Sequence, residues 1–194
     1  MKTSIILPTY NERENITELI QAIHAVMDSW DFDYQMVIVD DNSPDGTAEA
    51  VRKNFGEDER VVLHVRSEGR GLATAIRYGI ERAEGEVIVC MDTDFNHDPA
   101  MIPQMVKFLE FYDMVIGSRF VMRGGMEDRF RQLASAVYNL GIRVLFRTPV
   151  HENLSGFFAA GNSCFLSPAD AWTQQNAIPV HPHRVHPRPY LFTH

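Results

Sequence analysis

Alternation between short, near-continuous apolar runs and stretches of helical spacing restricts this chain more than any other feature. Ser4, Ile5, Ile6, Leu7 and Pro8 form the first run. Polar Thr9, Tyr10 and Asn11 follow, and Ile16, Leu19, Ile20, Ile23, Val26 and Met27 then recur at three- and four-residue intervals. Asn11 and Glu14, three residues apart, have the form of a capping box ahead of that helix. The unit repeats: Met36, Val37, Ile38 and Val39 end on Asp40 and Asp41, a turn covers residues 43–46, and a short helix is predicted over residues 47–54. A third strand over residues 60–65 leads to a helix over residues 71–83, and a fourth over residues 86–91 ends on Asp92, Thr93 and Asp94. Asp98 and Pro99 supply an N-cap and a first-turn proline for a helix continuing over residues 102–111, and residues 113–117 make a fifth strand.

Strands that are apolar throughout, separated by helices, pack as a mostly parallel sheet covered on both faces, so the fold class is α/β with a Rossmann-like core. Ligands of such sheets bind beyond the carboxyl ends of the strands. The residues at those ends are 8–12, 40–41, 66–71, 92–94 and 118–119, all polar clusters able to share one cleft. After Arg119 the alternation stops. A Gly124-Gly125 loop and basic Arg129 and Arg131 precede residues 133–146, whose apolar side chains on several faces suit either core packing or an interfacial helix. Ser155, Gly156, Phe157 and Phe158 are a candidate strand returning to the sheet, and residues 174–194 lose all periodicity in a Pro/His/Arg-rich tail.

The 194 residues suffice for one core rather than two. A net charge of -8 excludes general nucleic-acid binding, because a phosphate polymer would meet a repulsive average field. Bound phosphate must therefore find a local cation or a metal. With only Cys90 and Cys164, and Cys90 inside a strand, no disulfide framework is expected. The N-terminus enters a strand pattern directly and no run is long enough to span a bilayer, so a cytoplasmic location is expected, with the membrane surface as a peripheral site.

Asp92 and Asp94, one residue apart after a buried strand, can aim oxygen ligands at one hard cation, Mg2+ or Mn2+, while a diphosphate completes the shell. The alternative is a solvated turn with a helix cap. Asp40 and Asp41, beside residues 8–12, can accept hydrogen bonds from a base and ribose, with Tyr10 against the base. Capping of a turn is the alternative. Gly69, Arg70 and Gly71 lack the third glycine of a dinucleotide fingerprint and follow the third strand, so they suit either placement of Arg70 near a diphosphate or a plain helix start. Arg119 and Arg131 suit capture of an anionic acceptor. His181, His183, His186 and His194 lie in the aperiodic tail, where a zinc site would lack packed surroundings.

Together, Pro8-Thr9-Tyr10-Asn11-Glu12, residues 39–47, Arg70-Gly71-Leu72, Asp92-Thr93-Asp94 and residues 117–120 occur in the order found in family 2 glycosyltransferases. More narrowly the chain resembles dolichyl-phosphate (polyprenyl-phosphate) mannose synthases. The resemblance implies a GT-A fold over residues 1–173, C-terminally incomplete relative to the family, and a GDP-mannose-like nucleotide-sugar donor. It also implies Mg2+ or Mn2+ and a polyprenyl-phosphate acceptor at a membrane surface. Carried over by motif position, Pro8, Tyr10, Asn11, Glu12, Val39, Asp41, Arg70, Asp92, Thr93, Asp94 and Asn96 would bind the donor, Asp92 and Asp94 holding the metal. Asn96 stands where these synthases often have glutamine. Arg119, Arg131 and Ser135 would hold the acceptor phosphate, with Asp94, Arg119 and Arg131 as the catalytic set.

The chemistry fits. A phosphate acceptor is already anionic and needs no general base, whereas a sugar hydroxyl does, and Glu152 is the nearest later carboxylate that could serve. The competing readings are a family 2 transferase acting on a sugar hydroxyl, a donor-binding but inactive truncated form, and a receiver-like phosphoacceptor domain, which would need lysine where Arg119 stands.

Overall fold

A computed structural model describes residues 1–117 and 156–165. Its elements are β1 (Thr3–Thr9), α1 (Ile16–Ser29), β2 (Tyr34–Asp40), α2 (Thr47–Phe55), β3 (Val61–Val65), α3 (Leu72–Ile80), β4 (Val87–Cys90), α4 (Ile102–Phe108), β5 (Met114–Ile116) and β6 (Phe158–Gly161). The strands form one sheet in the order β3-β2-β1-β4-β6-β5. β1 is parallel to β2 and β4, and β2 to β3, as alternation with helices predicts. β6 runs antiparallel to both of its neighbours, β4 and β5. The returning strand anticipated at residues 155–158 thus forms slightly later, and it separates β5 from β4.

The two faces of the sheet read out the period of two. Ile5, Leu7, Met36, Ile38, Val87 and Val89 face α1, α2 and α4, whereas Ile6, Val37, Val39, Ile88 and Cys90 face α3. On α1, Ile16, Leu19, Ile20, Ile23 and Met27 are buried, the 3.6-residue stripe expected of a helix lying on a sheet. Gly79 lets α3 approach closely: a Cβ there would lie 2.5 Å from Ile6 Cγ2.

The proposed capping box is not formed. Asn15 is the N-cap of α1, and Glu12 makes a turn with it, accepting from Asn15 N at 3.1 Å and from Asn15 Nδ2 at 3.0 Å. Asn11, at φ 60°, turns instead toward the loop after β2. At β4, Asp98 Oδ1 accepts from Ala100 N at 2.9 Å and Pro99 opens a 3-10 turn, Pro99–Met101, that continues into α4, so the cap and proline act as read.

At the other end of the sheet, Tyr34 OH lies 2.6 Å from His24 Nδ1 and donates to Asp28 Oδ1 at 2.9 Å, while Arg60 joins Asp28, Tyr34 and Asp58. Burial pushes the His24 pKa below 6.5, and Arg60 adds to the shift against the opposing pull of Asp58 and Asp28. His64 on β3 is lowered too, by burial and Arg82. Both groups favour the neutral form in the fold. Their stabilising contribution is therefore complete above the unfolded pKa of about 6.5 and is lost as pH falls below it. Denaturant midpoints should drop between pH 7.5 and 5.5, and a His24→Gln/His64→Gln protein should show a shallower drop; an equal slope in both proteins would refute the assignment.

Candidate functional site

The ends of β1 and β2 are stitched to each other before any ligand is considered. Pro8 pairs with Val39 and Thr9 with Asp40 in the sheet register. Asp40, fully buried, accepts from Ser43 N at 2.9 Å through Oδ2 and from the Ser43 hydroxyl at 2.6 Å through Oδ1. Ser43 Oγ in turn accepts from Asn11 N at 2.9 Å, Thr47 Oγ1 from Glu12 N at 3.0 Å, and Asp45 Oδ2 from Arg13 N at 3.1 Å. Burial alone would raise the Asp45 pKa, but the Thr47 hydroxyl and the amides of Arg13 and Thr47 outweigh it and hold the carboxyl below its usual value. The loop after β1 is therefore fixed by side chains of the β2–α2 turn, leaving Tyr10 exposed at 53%.

Asp41 is held differently. Arg66, the residue after β3, is 7% exposed and directs both Nε, at 2.8 Å, and Nη2 to Asp41 Oδ1. Gly71 N donates to Asp41 Oδ2 at 2.7 Å. Gly71 has φ 133°, a conformation that L side chains rarely adopt, and it caps α3 without any side chain of its own. Asp41 thereby ties the end of β2 to the end of β3 and to the start of α3. Arg70, between Gly69 and Gly71, is exposed on the same loop.

The third part follows β4. Asp92 is half-buried, Thr93 buried and Asp94 exposed. Phe95, at φ 57°, folds the loop back so that Asn96 N donates to Asp94 Oδ1 at 3.1 Å and Asn96 Nδ2 donates to Asp94 Oδ2. Because β6 runs antiparallel beside β4, it sets Gly156 directly on Asp92: a Cβ there would lie 2.1 Å from Oδ1 and 2.2 Å from Oδ2. The bare glycine is a condition for the carboxylate to occupy that place. Cys90 just behind is fully buried, and burial followed by Asp92 pushes its thiol pKa up, leaving it neutral packing material.

Since β4, β1, β2 and β3 are successive neighbours in the sheet, Pro8, Tyr10, Asn11, Glu12, Val39, Asp41, Arg70, Asp92, Thr93, Asp94 and Asn96 all stand at one edge of it. Arg119, Arg131, Ser135 and Glu152 lie outside the described residues, as does the segment 133–146. The sequence placed Arg66 in the strand-end cluster over residues 66–71 without an individual role, and gave none to Ser43, Thr47 or Gly156. Arg66 carried the clearest cue, a charge continuing an apolar strand beside the predicted Asp41 cluster.

The donor set suits a divalent cation whose remaining ligands come from a diphosphate. Two carboxylates follow one strand a single residue apart, one of them set against Gly156 where no side chain fits. Among the described residues no group of three or more His, Cys, Asp or Glu forms a closed protein cage.

Comparison with known proteins decides the family: the description "Glycosyl transferase family 2" matches residues 4–167. The chain belongs to glycosyltransferase family 2. This family 2 chain is 37% identical over 164 residues to a dolichol-phosphate mannosyltransferase of Pyrococcus furiosus, covering 82% of its own length and 46% of the relative's. It therefore spans about half the length of that relative. Its fold is that of mannosyl-3-phosphoglycerate synthase from Rubrobacter xylanophilus, with TM-score 0.66, 17% identity, and coverage of 85% of this chain and 54% of that one. It also matches a mannosyltransferase of Pyrobaculum calidifontis in complex with GDP-Man and Mn2+, with TM-score 0.56, 24% identity, and coverage of 82% and 44%. The family 2 domain thus has the GT-A fold, as anticipated.

Proposed function

We propose that this chain binds a nucleotide-sugar donor and takes part in metal-dependent, inverting transfer of mannose from a GDP-mannose-type donor to a polyprenyl phosphate. The observation that carries the reading is the pair Asp92 and Asp94, set on the edge of a family 2 sheet beside the stitched loops of Tyr10 and Asp41. The 37% identity to a dolichol-phosphate mannosyltransferase supports a polyprenyl-phosphate acceptor.

In this scheme Tyr10 lies against the base, while Pro8, Asn11, Glu12, Val39, Asp41 and Arg70 frame the nucleoside and diphosphate. The amides of residues 11–13 are already committed to Ser43, Thr47 and Asp45, so the loop is held in place before a donor arrives. Asp92 and Asp94 hold the cation, with Thr93 between them, and Asn96 braces Asp94. When bound, Mg2+ or Mn2+ supplies charge neutralisation for the departing diphosphate. Arg119 and Arg131, with Ser135, position the acceptor phosphate. One of its oxygens attacks the anomeric carbon, the bond from that carbon to the diphosphate oxygen breaks, and GDP leaves with the electron pair as configuration inverts. The nucleophile is already an anion, so no carboxylate base is required.

Among the described residues no helix is long and apolar enough to cross a membrane. The test is transfer from labelled GDP-mannose, with Mn2+, to polyprenyl phosphate in detergent. Label is expected to extract into organic solvent. Label that stays in water and appears only on a glycan acceptor would replace this reading with transfer to a sugar hydroxyl.

A further inference from the structure

We propose that Arg66 is a positioning residue for donor binding, setting the Asp41 carboxylate as a fixed acceptor for an N–H group of the nucleobase. This rests on the donor reading above.

The argument begins with the count of lone pairs. A carboxylate offers about four acceptor positions. Among the described residues, two of the three guanidinium nitrogens of Arg66, Nε and Nη2, converge on Oδ1 of Asp41, which saturates that oxygen, whereas Oδ2 receives one bond, from Gly71 N at 2.7 Å. The pair is nearly sealed from solvent, with side-chain exposures of 7% and 9%. Arg66 is the cation paired with that buried carboxylate, and the direction of its fork leaves the remaining acceptor capacity on one chosen oxygen.

Arg66 is itself held. Its amide donates to Asp40 O at 2.8 Å, continuing the β2–β3 ladder, and its guanidinium carbon lies 5.5 Å from the Tyr78 ring centroid. Arg82 covers the same ring at 3.3 Å, and His64 meets it edge-on with centroids 5.6 Å apart. Among the described residues the pair is flanked by Asp40, already satisfied by Ser43, by Tyr78 of α3 and Arg82 just after it, and by His64 of β3. A lysine would keep the charge at position 66 but lose the two-donor fork and the stacking plane.

Calorimetry of the full chain with Mn2+ and either GDP or inorganic pyrophosphate, which carries no base, tests this. Arg66→Lys is expected to bind GDP roughly tenfold more weakly than the wild type, the scale of a misplaced contact, with its affinity for pyrophosphate unchanged. Asp41→Asn/Arg66→Met, with no unpaired buried charge, folds even where Arg66→Met alone does not, and should show the same selective loss. Wild-type affinity for GDP in Arg66→Lys, or an equal loss for GDP and pyrophosphate, overturns the inference alone. A wild type that does not bind GDP overturns the donor reading and the inference with it.

Discussion

Asp94→Ala is expected to lower mannosyl transfer by about a hundredfold or more while changing stability by no more than about 0.5 kcal/mol. The two effects separate because of where Asp94 sits. It is exposed, and its hydrogen bonds run to Asn96, two residues away, so among the described residues its loss breaks no contact between elements. Its proposed work is electrostatic: with Asp92 it fixes the cation that meets the diphosphate, and that demand peaks as the bond to the sugar breaks. Transfer assays beside a denaturant titration check the prediction, and Mn2+ binding should weaken in parallel. An unimpaired Asp94→Ala, or wild-type transfer undiminished by a chelator, would remove the metal from the mechanism.

Gly156→Ala should damage both fold and site. Three atoms of the Asp92 carboxylate lie within 2.3 Å of where the new Cβ would sit. A carboxylate on a single methylene has little room to swing aside, so either Asp92 turns away or β6 shifts on β4. Overpacking of this kind costs about 1–3 kcal/mol. Displacement of a cation ligand should in addition cut transfer by about a hundredfold. Gly161→Ala is the control, since its Cβ would meet Ser163 Oγ at an ordinary 3.7 Å. Melting temperatures and turnover of the two variants should diverge sharply; similar behaviour would show that Gly156 does not brace Asp92.

Much of this could be read from the residues because local patterns decided it. The strands come from apolar runs that stay buried over their whole length, as in β1 and β2. The site comes from a rule about parallel sheets, that polar residues after each strand share one edge. What escaped reading depends on partners distant in the chain. Asn11 and Glu14 matched a capping box, but Asn11 is claimed by Ser43, 32 residues away. The place of β6 could not follow from a four-residue apolar segment, since its neighbours β4 and β5 are set by pairing rather than by composition. Arg66 and Gly156 were missed for the same reason. A buried arginine looks like any other until Asp41 faces it, and a glycine looks like a loop residue until a carboxylate leans on it. The residues proposed for the acceptor, Arg119, Arg131 and Ser135, lie outside the described residues.

The pairing of β5 with β6 has a meaning for how such a protein can change. Ile116 lies opposite Phe158, and Gly117 N donates to Phe157 O at 2.8 Å. The chain thus departs and comes back through two adjacent posts, and one post stands next to Asp92. An insertion or exchange between those posts keeps β5 and β6 where they are, because closing a loop between fixed ends costs little per added residue. On the proposed reading, with the donor held on the sheet and Arg119, Arg131 and Ser135 contributed from between the posts, recombination there would give an unaltered donor site a new acceptor, one route by which a single sheet could come to serve many products.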